Sequence, residues 1–513
     1  MSKDYLTEFL PDLDEFRKKT QQFHNGEITV AEYKGFSGGF GSYAQRGGKK
    51  HMLRLRMAGG RLTKERLKFI AESCEKYHIS RLKLTTCQSV QLHDLEPEIL
   101  CDLMEEAWKA GMISRGGGGD FPRNVMASPL SGVSTNEYFD IMPYAEAAGE
   151  YLMNFIKAVK FPRKLKVCFS GSPDNEPHAT FRDLGFTANP DHTFDVYAAG
   201  GLGIKPLLGV CVAKSVAPED ILYHIKAMVN TFTTYGNYEN RGKARTRFMQ
   251  ETLGKDGLIN AYQEKLMEVL SSENLKLQIK ETPLQKQGKG QALSDRRIIP
   301  QKQEGLYAVF YQPIGGALTP EKAGELYELI APMEDTEIRL TPDEGLYIIN
   351  CNAQEAELLL KATDDGAGNL FETSVACIGA SVCQVGIGDS RSLLASCIDA
   401  VRKENFADGV LPKIHISGCP SSCGTHQIGA IGFRGGIRQT PDGPKPAFAI
   451  FEGGCSLQGQ EIIADMGKSI LAEEIPAFLI ELGKMISAKN TVYEEWIKNH
   501  HSELEELIAR YTA

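Results

Sequence analysis

Residues 51–94, HMLRLRMAGGRLTKERLKFIAESCEKYHISRLKLTTCQSVQLHD, and residues 306–350, LYAVFYQPIGGALTPEKAGELYELIAPMEDTEIRLTPDEGLYIIN, decide the fold. Each opens with a run of alternating apolar residues, the period-2 signature of a half-buried strand. A Gly-Gly pair follows, then Leu-Thr and an amphipathic stretch of helical period, then a second alternating run. Thr319 followed by Pro320 and Glu321 makes a good helix first turn. Two copies of one α+β unit at such spacing predict a duplication whose products pack as a pseudo-twofold pair. The alternative is a coincidence of two ordinary βαβ units.

Outward from these copies the chain divides further. Residues 282–304 are poor in apolar side chains and contain QKQGKGQALSDRR, which reads as a linker. The expected plan is an N-terminal arm (1–50), paired half-domains (51–125 and 305–364), an α/β domain after each (126–281 and 365–490), and a C-terminal helix (491–513). With 513 residues, 42% of them hydrophobic and 24% charged, the composition is that of a globular protein. No apolar run reaches the roughly 18 residues that would cross a bilayer, so no membrane role is expected. Met1–Thr20 carries scattered charge and no apolar h-region, so no secretory signal is read there and a cytoplasmic location is expected. A net charge of −9 argues against nucleic acid as a partner, although a local basic pocket remains compatible with it. Twelve cysteines without an export signal suggest a reducing compartment. Cys74, Cys101, Cys168, Cys211, Cys351 and Cys397 stand singly among apolar neighbours and read as packing residues.

Two close cysteine pairs are different. Cys377 and Cys383 are spaced C-x5-C in VACIGASVCQ, and Cys419 and Cys423 are spaced C-x3-C in SGCPSSCG. Four thiolates from two short loops could hold a structural zinc or an iron–sulfur cluster, and the wide first pair disfavours zinc. Gly379, Ala380, Ser381, Gly418, Ser421, Ser422 and Gly424 leave room for backbone amides to approach a bulky cluster. The arrangement C-x5-C…G-C-P-x-x-C-G resembles that of the sirohaem-dependent nitrite and sulfite reductases. The resemblance spans nearly the whole chain through MLRLRMAGG (52–60), LTTCQSVQLH (84–93), GDFPRNV (119–125), FPRKLK (161–166), AAGGLG (198–203) and NRGKARTRF (240–248). It implies an α+β fold of duplicated ferredoxin-like half-domains in one pseudo-twofold domain, with two larger α/β domains binding sirohaem and the cluster. It also implies a [4Fe–4S] cluster on Cys377, Cys383, Cys419 and Cys423, with Cys423 bridging to the sirohaem iron.

Reducing a small oxyanion demands cations that hold the anion, neutralise developing charge and relay protons. By resemblance these are Arg54, Arg123, Lys164 and Lys166. Arg54 and Arg56 lie two apart in an alternating strand, as do Lys164 and Lys166; Arg56 has no counterpart and reads as a surface or cofactor-side charge. Lys83, Arg241, Lys243, Arg245 and Arg247 are candidates for the carboxylates of sirohaem, because basic side chains, and Arg forks above all, suit carboxylates. Where the family usually has Arg this chain has Cys87, which by alternation shares a face with Lys83. The Lys164–Lys166 pair resembles the sulfite-reducing branch, so reduction of sulfite to sulfide is expected, with nitrite as the alternative. A non-catalytic sirohaem or iron–sulfur electron-transfer protein is the reading from another class. AAGGLG lacks the spacing of a dinucleotide loop, so electrons are expected from a separate ferredoxin or flavoprotein.

Overall fold

The computed structural model describes residues 4–280 and 284–512. Met1–Lys3 of the expected arm, Glu281, Thr282 and Pro283 at the start of the expected linker, and Ala513 lie outside the described residues. The chain forms two compact units. The first comprises residues 1–201, 207–311 and 317–363, and the second comprises 202–206, 312–316 and 364–513. Among the described residues no helix is long and apolar enough to cross a membrane.

Within the first unit the two copies read from sequence fold alike. The first has the strand His51–Leu55, the helix Lys64–Tyr77, and the strands Leu82–Leu84 and Val90–Leu95. The second has Tyr307–Tyr311, the helix Pro320–Ile330, Glu337–Leu340 and Leu346–Cys351. Thr63 and Thr319 cap the two helices, accepting from the amides of Arg66 and Lys322. Gly59 and Gly60, like Gly315 and Gly316, take positive φ, which explains the paired glycines. At Gly60 a Cβ would also stand 2.8 Å from the Leu340 carbonyl. That close approach lets Arg61–Leu62 add to the second copy's sheet, whose order is Ile298–Pro300, Tyr307–Tyr311, Leu346–Cys351, Glu337–Leu340, Arg61–Leu62. The half-domains therefore share a sheet and one apolar core around Leu67, Ile70, Leu326 and Ile330.

Two flanking stretches are more structured than their composition suggests. Residues 4–50 form the helices Tyr5–Phe9, Asp12–His24 and Val30–Ser37, then the strand Ser42–Ala44 on the first copy's sheet. The glutamine- and lysine-rich segment ends in the strand Ile298–Pro300, and its Lys286 is buried on Glu355 at 2.7 Å. A buried ammonium needs a matched carboxylate, and Glu355 supplies it from another element.

Duplication extends beyond the half-domains. A five-stranded sheet in the first unit runs Met126–Ala127, Val167–Ser170, Leu184–Ala188, Phe194–Ala198, Val210–Val216, with two parallel pairings followed by two antiparallel ones. The second unit's sheet runs Val375–Ala376, Ile414–Ser417, Ile431–Thr440, Gly443–Glu452, Asp465–Leu471 with the same sequence of pairings. Each sheet lies on its own apolar core, around Phe169, Phe186 and Phe194 in one and Phe433, Phe478 and Trp496 in the other.

Candidate functional site

In the second unit the four cysteines lie on two loops at the ends of the parallel strands. Cys377 follows Val375–Ala376, and its amide donates to the Ile416 carbonyl at 3.1 Å. Its sulfur accepts from the Gly418 amide at 3.2 Å and lies 3.2 Å from the Ser390 hydroxyl. The Gly418 carbonyl accepts from Ile387 and Gly388, so the loop carrying Cys377 and Cys383 is tied to the one carrying Cys419 and Cys423. These contacts demand small residues: a Cβ at Gly418 would stand 2.5 Å from the Gly388 carbonyl, and one at Gly424 2.1 Å from that of Ile416. Cys377, Cys383 and Cys419 are half-buried and Cys423 is exposed.

Among the described residues no three His, Cys, Asp or Glu side chains converge as ligands of one metal ion. A mononuclear zinc needs such convergence, at about 2.3 Å per sulfur. A [4Fe–4S] cluster does not, because each thiolate binds its own iron atom. Backbone amides closing on a thiolate sulfur between glycine-rich loops are the surroundings an iron–sulfur cluster takes. The donor chemistry of these loops fits that group.

The first unit carries a sulfur-free twin of these loops. SGSP (170–173) stands where the second unit has SGCP (417–420), and Ser128 stands where it has Cys377. The Gly171 amide donates to the Ser128 hydroxyl at 2.9 Å, as Gly418 does to Cys377. Ser128 donates to the Phe169 carbonyl at 3.1 Å, as Cys377 does to Ile416. Asn175 and His178 take positive φ, as do Ser422 and Thr425.

The basic candidates all lie in the first unit. Arg123 is set by the run 121–123 lying parallel to 165: its amide donates to the Leu165 carbonyl, and Leu165 donates to Phe121. Its guanidinium donates to the carbonyls of Gly117 at 3.0 Å and Gly119 at 2.9 Å. Arg54 donates to the same Gly117 carbonyl at 2.6 Å, which holds two like charges side by side. Burial pushes Arg123 down to about 10, and the neighbouring Arg54 adds to the shift. Lys166 immediately precedes the strand Val167–Ser170; its amide donates to Asp183 at 2.8 Å and its ammonium to the Cys87 sulfur at 3.3 Å. Lys164 is half-buried on the same segment.

Cys87 is thus surrounded by cations, but not by the route the alternation predicts. The strand ends at Leu84 and the chain turns: the Thr85 amide donates to the Ser89 carbonyl, Gln88 takes φ 51°, and the Thr85 hydroxyl caps the amides of Cys87 and Ser89. Cys87 is in that turn and does not share a strand face with Lys83. Burial alone would raise its thiol, yet the charges of Lys166, Arg182 and Arg54 bring it down to about 6. Arg182 is a functional candidate that the sequence reading missed. It is 6% exposed, donates from Nε to the Pro177 carbonyl, and leaves one Nη without a hydrogen-bond partner. The available signal was a charged Arg182–Asp183 pair inside the apolar run TFRDLGF.

Lys83 and Arg56 depart from expectation. Lys83 does not offer a free ammonium for a ligand carboxylate: it is 3% exposed and pairs at 2.7 Å with Glu344, itself 2% exposed. Glu344 is the twin of Gln88, whose amide reaches the Leu340 carbonyl, so the two turns clasp the half-domains reciprocally. Arg56 is not a surface charge; it braces the loop through the carbonyls of Arg115, Pro122 and Arg123. Arg241 and Lys243 are exposed and paired with Asp120 and Glu251. Arg245 and Arg247 differ from them. Arg245 pairs at 3.0 Å with Asp183, which is fully buried. Arg247 keeps two buried N–H groups without partners. Both guanidinia come within 3.6 Å of where a Gly201 Cβ would be. Spare buried donors beside a glycine loop fit a carboxylate-rich ligand such as sirohaem.

The chain matches the nitrite and sulphite reductase 4Fe-4S domain over residues 118–270, and the nitrite/sulfite reductase ferredoxin-like half domain over 43–109 and 299–365. Together these segments span more than half of the chain; the cysteine loops lie beyond them. An assimilatory ferredoxin-dependent nitrite reductase of Haloferax mediterranei is 26% identical over 500 residues, covering 90% of this chain and 84% of that protein. A sulfite reductase [ferredoxin] 1 of Mycolicibacterium paratuberculosis is 24% identical, covering 79% of this chain and 74% of that one. The solved structure of Mycobacterium tuberculosis NirA protein shares the fold with a TM-score of 0.78 at 22% identity, covering 96% of this chain and 95% of that one.

Proposed function

The chain belongs to the nitrite and sulphite reductase family, and from that premise we propose that it carries out the six-electron reduction of sulfite to sulfide, with nitrite to ammonia as the second reading. It is an oxidoreductase whose cofactors are sirohaem and a [4Fe–4S] cluster. When bound, these supply single electrons at an iron atom. Cys377, Cys383, Cys419 and Cys423 would hold the cluster. Arg245 and Arg247 would meet sirohaem carboxylates.

The observation that carries the reading is the gathering of Arg54, Arg123, Lys166 and Arg182 about one point of the first unit. Such a set binds a small oxyanion, neutralises charge as oxygen leaves, and delivers protons from fixed N–H donors. Lys164 and Lys166, two positive charges on one segment, favour the sulfite dianion. The contact of Lys166 with Cys87 favours nitrite, because a sulfur that bears charge offsets one of the two, and the Haloferax relative is named a nitrite reductase. That name also supports ferredoxin as the electron donor.

An absorption spectrum and iron and labile-sulfide content of anaerobically purified protein test the cofactor assignment. Comparison of kcat/KM for sulfite and nitrite with reduced viologen tests the substrate. Turnover of neither anion by protein loaded with both cofactors overturns the reading.

A further inference from the structure

Cys87 is an acidic group set among these cations. Lys166 faces it from the segment before Val167–Ser170, Arg182 from the chain after Ala179–Phe181, Arg54 from His51–Leu55, and Arg123 from the 115–123 loop. Cys168 is a further titratable neighbour whose thiol burial holds neutral; Tyr43 and Arg163 face Arg123, and the Asp183 carboxylate takes the Lys166 amide. The turn is rigid: the Asn124 side chain donates to the Cys87 carbonyl at 2.9 Å, Thr85 caps its amide, and its side chain packs on Met126, Cys168 and Ala179. The unpartnered Nη of Arg182, inside a side chain more than nine-tenths buried, marks the cluster as built for a further anion. In the twin turn of the second half-domain the corresponding residue is Asp343, an acid.

We propose that Cys87 is the specificity-determining residue of this cluster: as a thiolate against Lys166 it removes one positive charge, which lowers the site's affinity for a dianion such as sulfite relative to a monoanion such as nitrite, and the relative affinity for the dianion rises when the thiolate is protonated or removed. Titration of Cys87 to about 6 puts the thiolate form in place at neutral pH. The proposal rests on the anion-binding reading of the preceding section and deepens it.

The test uses the holoenzyme and its Cys87→Ser and Cys87→Asp variants, with dissociation constants for sodium nitrite and sodium sulfite read from sirohaem absorbance. In Cys87→Ser the preference for nitrite over sulfite falls about tenfold, the order expected of one partly buried charge acting on another. Cys87→Asp keeps the wild-type preference. The serine variant experiences the same protonation of sulfite, so a pH profile seen in wild type and absent from it belongs to Cys87. Independently, iodoacetamide labelling of Cys87, followed by peptide mass spectrometry, has its midpoint near pH 6, and Lys166→Met moves that midpoint upward. A wild-type midpoint at the ordinary thiol value of about 8.5 overturns the proposal. So does an unchanged anion preference in Cys87→Ser while both anions bind. Wild-type protein that binds neither anion would instead sink the anion-site reading, and the proposal with it.

Discussion

Removing the Asp183 carboxylate is the sharpest way to ask whether the basic cluster is positioned by the fold. Asp183 is fully buried and accepts from the Lys166 amide at 2.8 Å, from Arg245 Nη2 at 3.0 Å with each oxygen, and from the Thr246 hydroxyl. Asp183→Ala leaves Arg245 with its guanidinium only 15% exposed and no carboxylate opposite. Breaking one side of a buried pair costs about 3–5 kcal/mol. The stranded Lys166 amide and Thr246 hydroxyl add about 1–3 kcal/mol each where water cannot reach them. Partial exposure of Arg245 offsets some of this, so the expected loss is about 4–6 kcal/mol for Asp183→Ala. Asp183→Asn, which retains one acceptor, should lose about half as much. At about 1–1.5 °C per kcal/mol for a unit of this size, the alanine variant melts roughly 5–8 °C below wild type. Thermal melting followed by circular dichroism, with guanidinium titration alongside, measures both. An alanine variant within about 1 kcal/mol of wild type would refute the reasoning, because an unpaired arginine cannot be accommodated there so cheaply.

Lys166→Asn, which removes positive charge, lowers kcat/KM for sulfite more than for nitrite in viologen assays; equal losses would contradict the charge argument. Lys83→Met and Glu344→Leu each destabilise by about 3–5 kcal/mol, while the double variant recovers most of that and keeps its sirohaem, as a clasp between half-domains requires; loss of sirohaem at unchanged stability would restore the ligand-binding reading of Lys83. Burial holds His51 and His93 down to about 3 and His224 down to about 4. Depressed imidazole values stabilise the fold fully above the unfolded value of about 6.5, and that contribution is lost progressively as pH falls below it. Each histidine therefore costs about 2 kcal/mol at pH 5 relative to pH 7.5, read as a falling melting temperature that His51→Gln makes shallower.

The duplicated half-domains were legible because paired glycines, threonine caps and alternating strands are local signals that the backbone obeys directly. The second duplication was not read, although SGSP and SGCP stand at equivalent strand ends. Its central strands Val167–Ser170, Leu184–Ala188 and Ile414–Ser417 are buried on both faces, and such strands leave little periodic trace. The cysteine loops and the cations Arg54, Arg123 and Lys166 were found from motif chemistry. Their partners were not: the choice of Glu344 for Lys83 joins residues some 260 apart in the chain, which strand alternation cannot express. Cys87 was assigned to a strand face because alternating residues continue past Leu84, whereas the Thr85 hydroxyl competes for the backbone and closes a turn.

The loop that presents Cys377 is a shape this chain makes twice, once with a serine oxygen and once with a sulfur receiving the same glycine amide. A contour stable with oxygen in that place does not depend on iron to exist. The backbone hydrogen bonds that draw this contour are supplied by the strands and glycines on either side of it, so the oxygen or sulfur at its tip selects what the loop can ligate without redrawing its path.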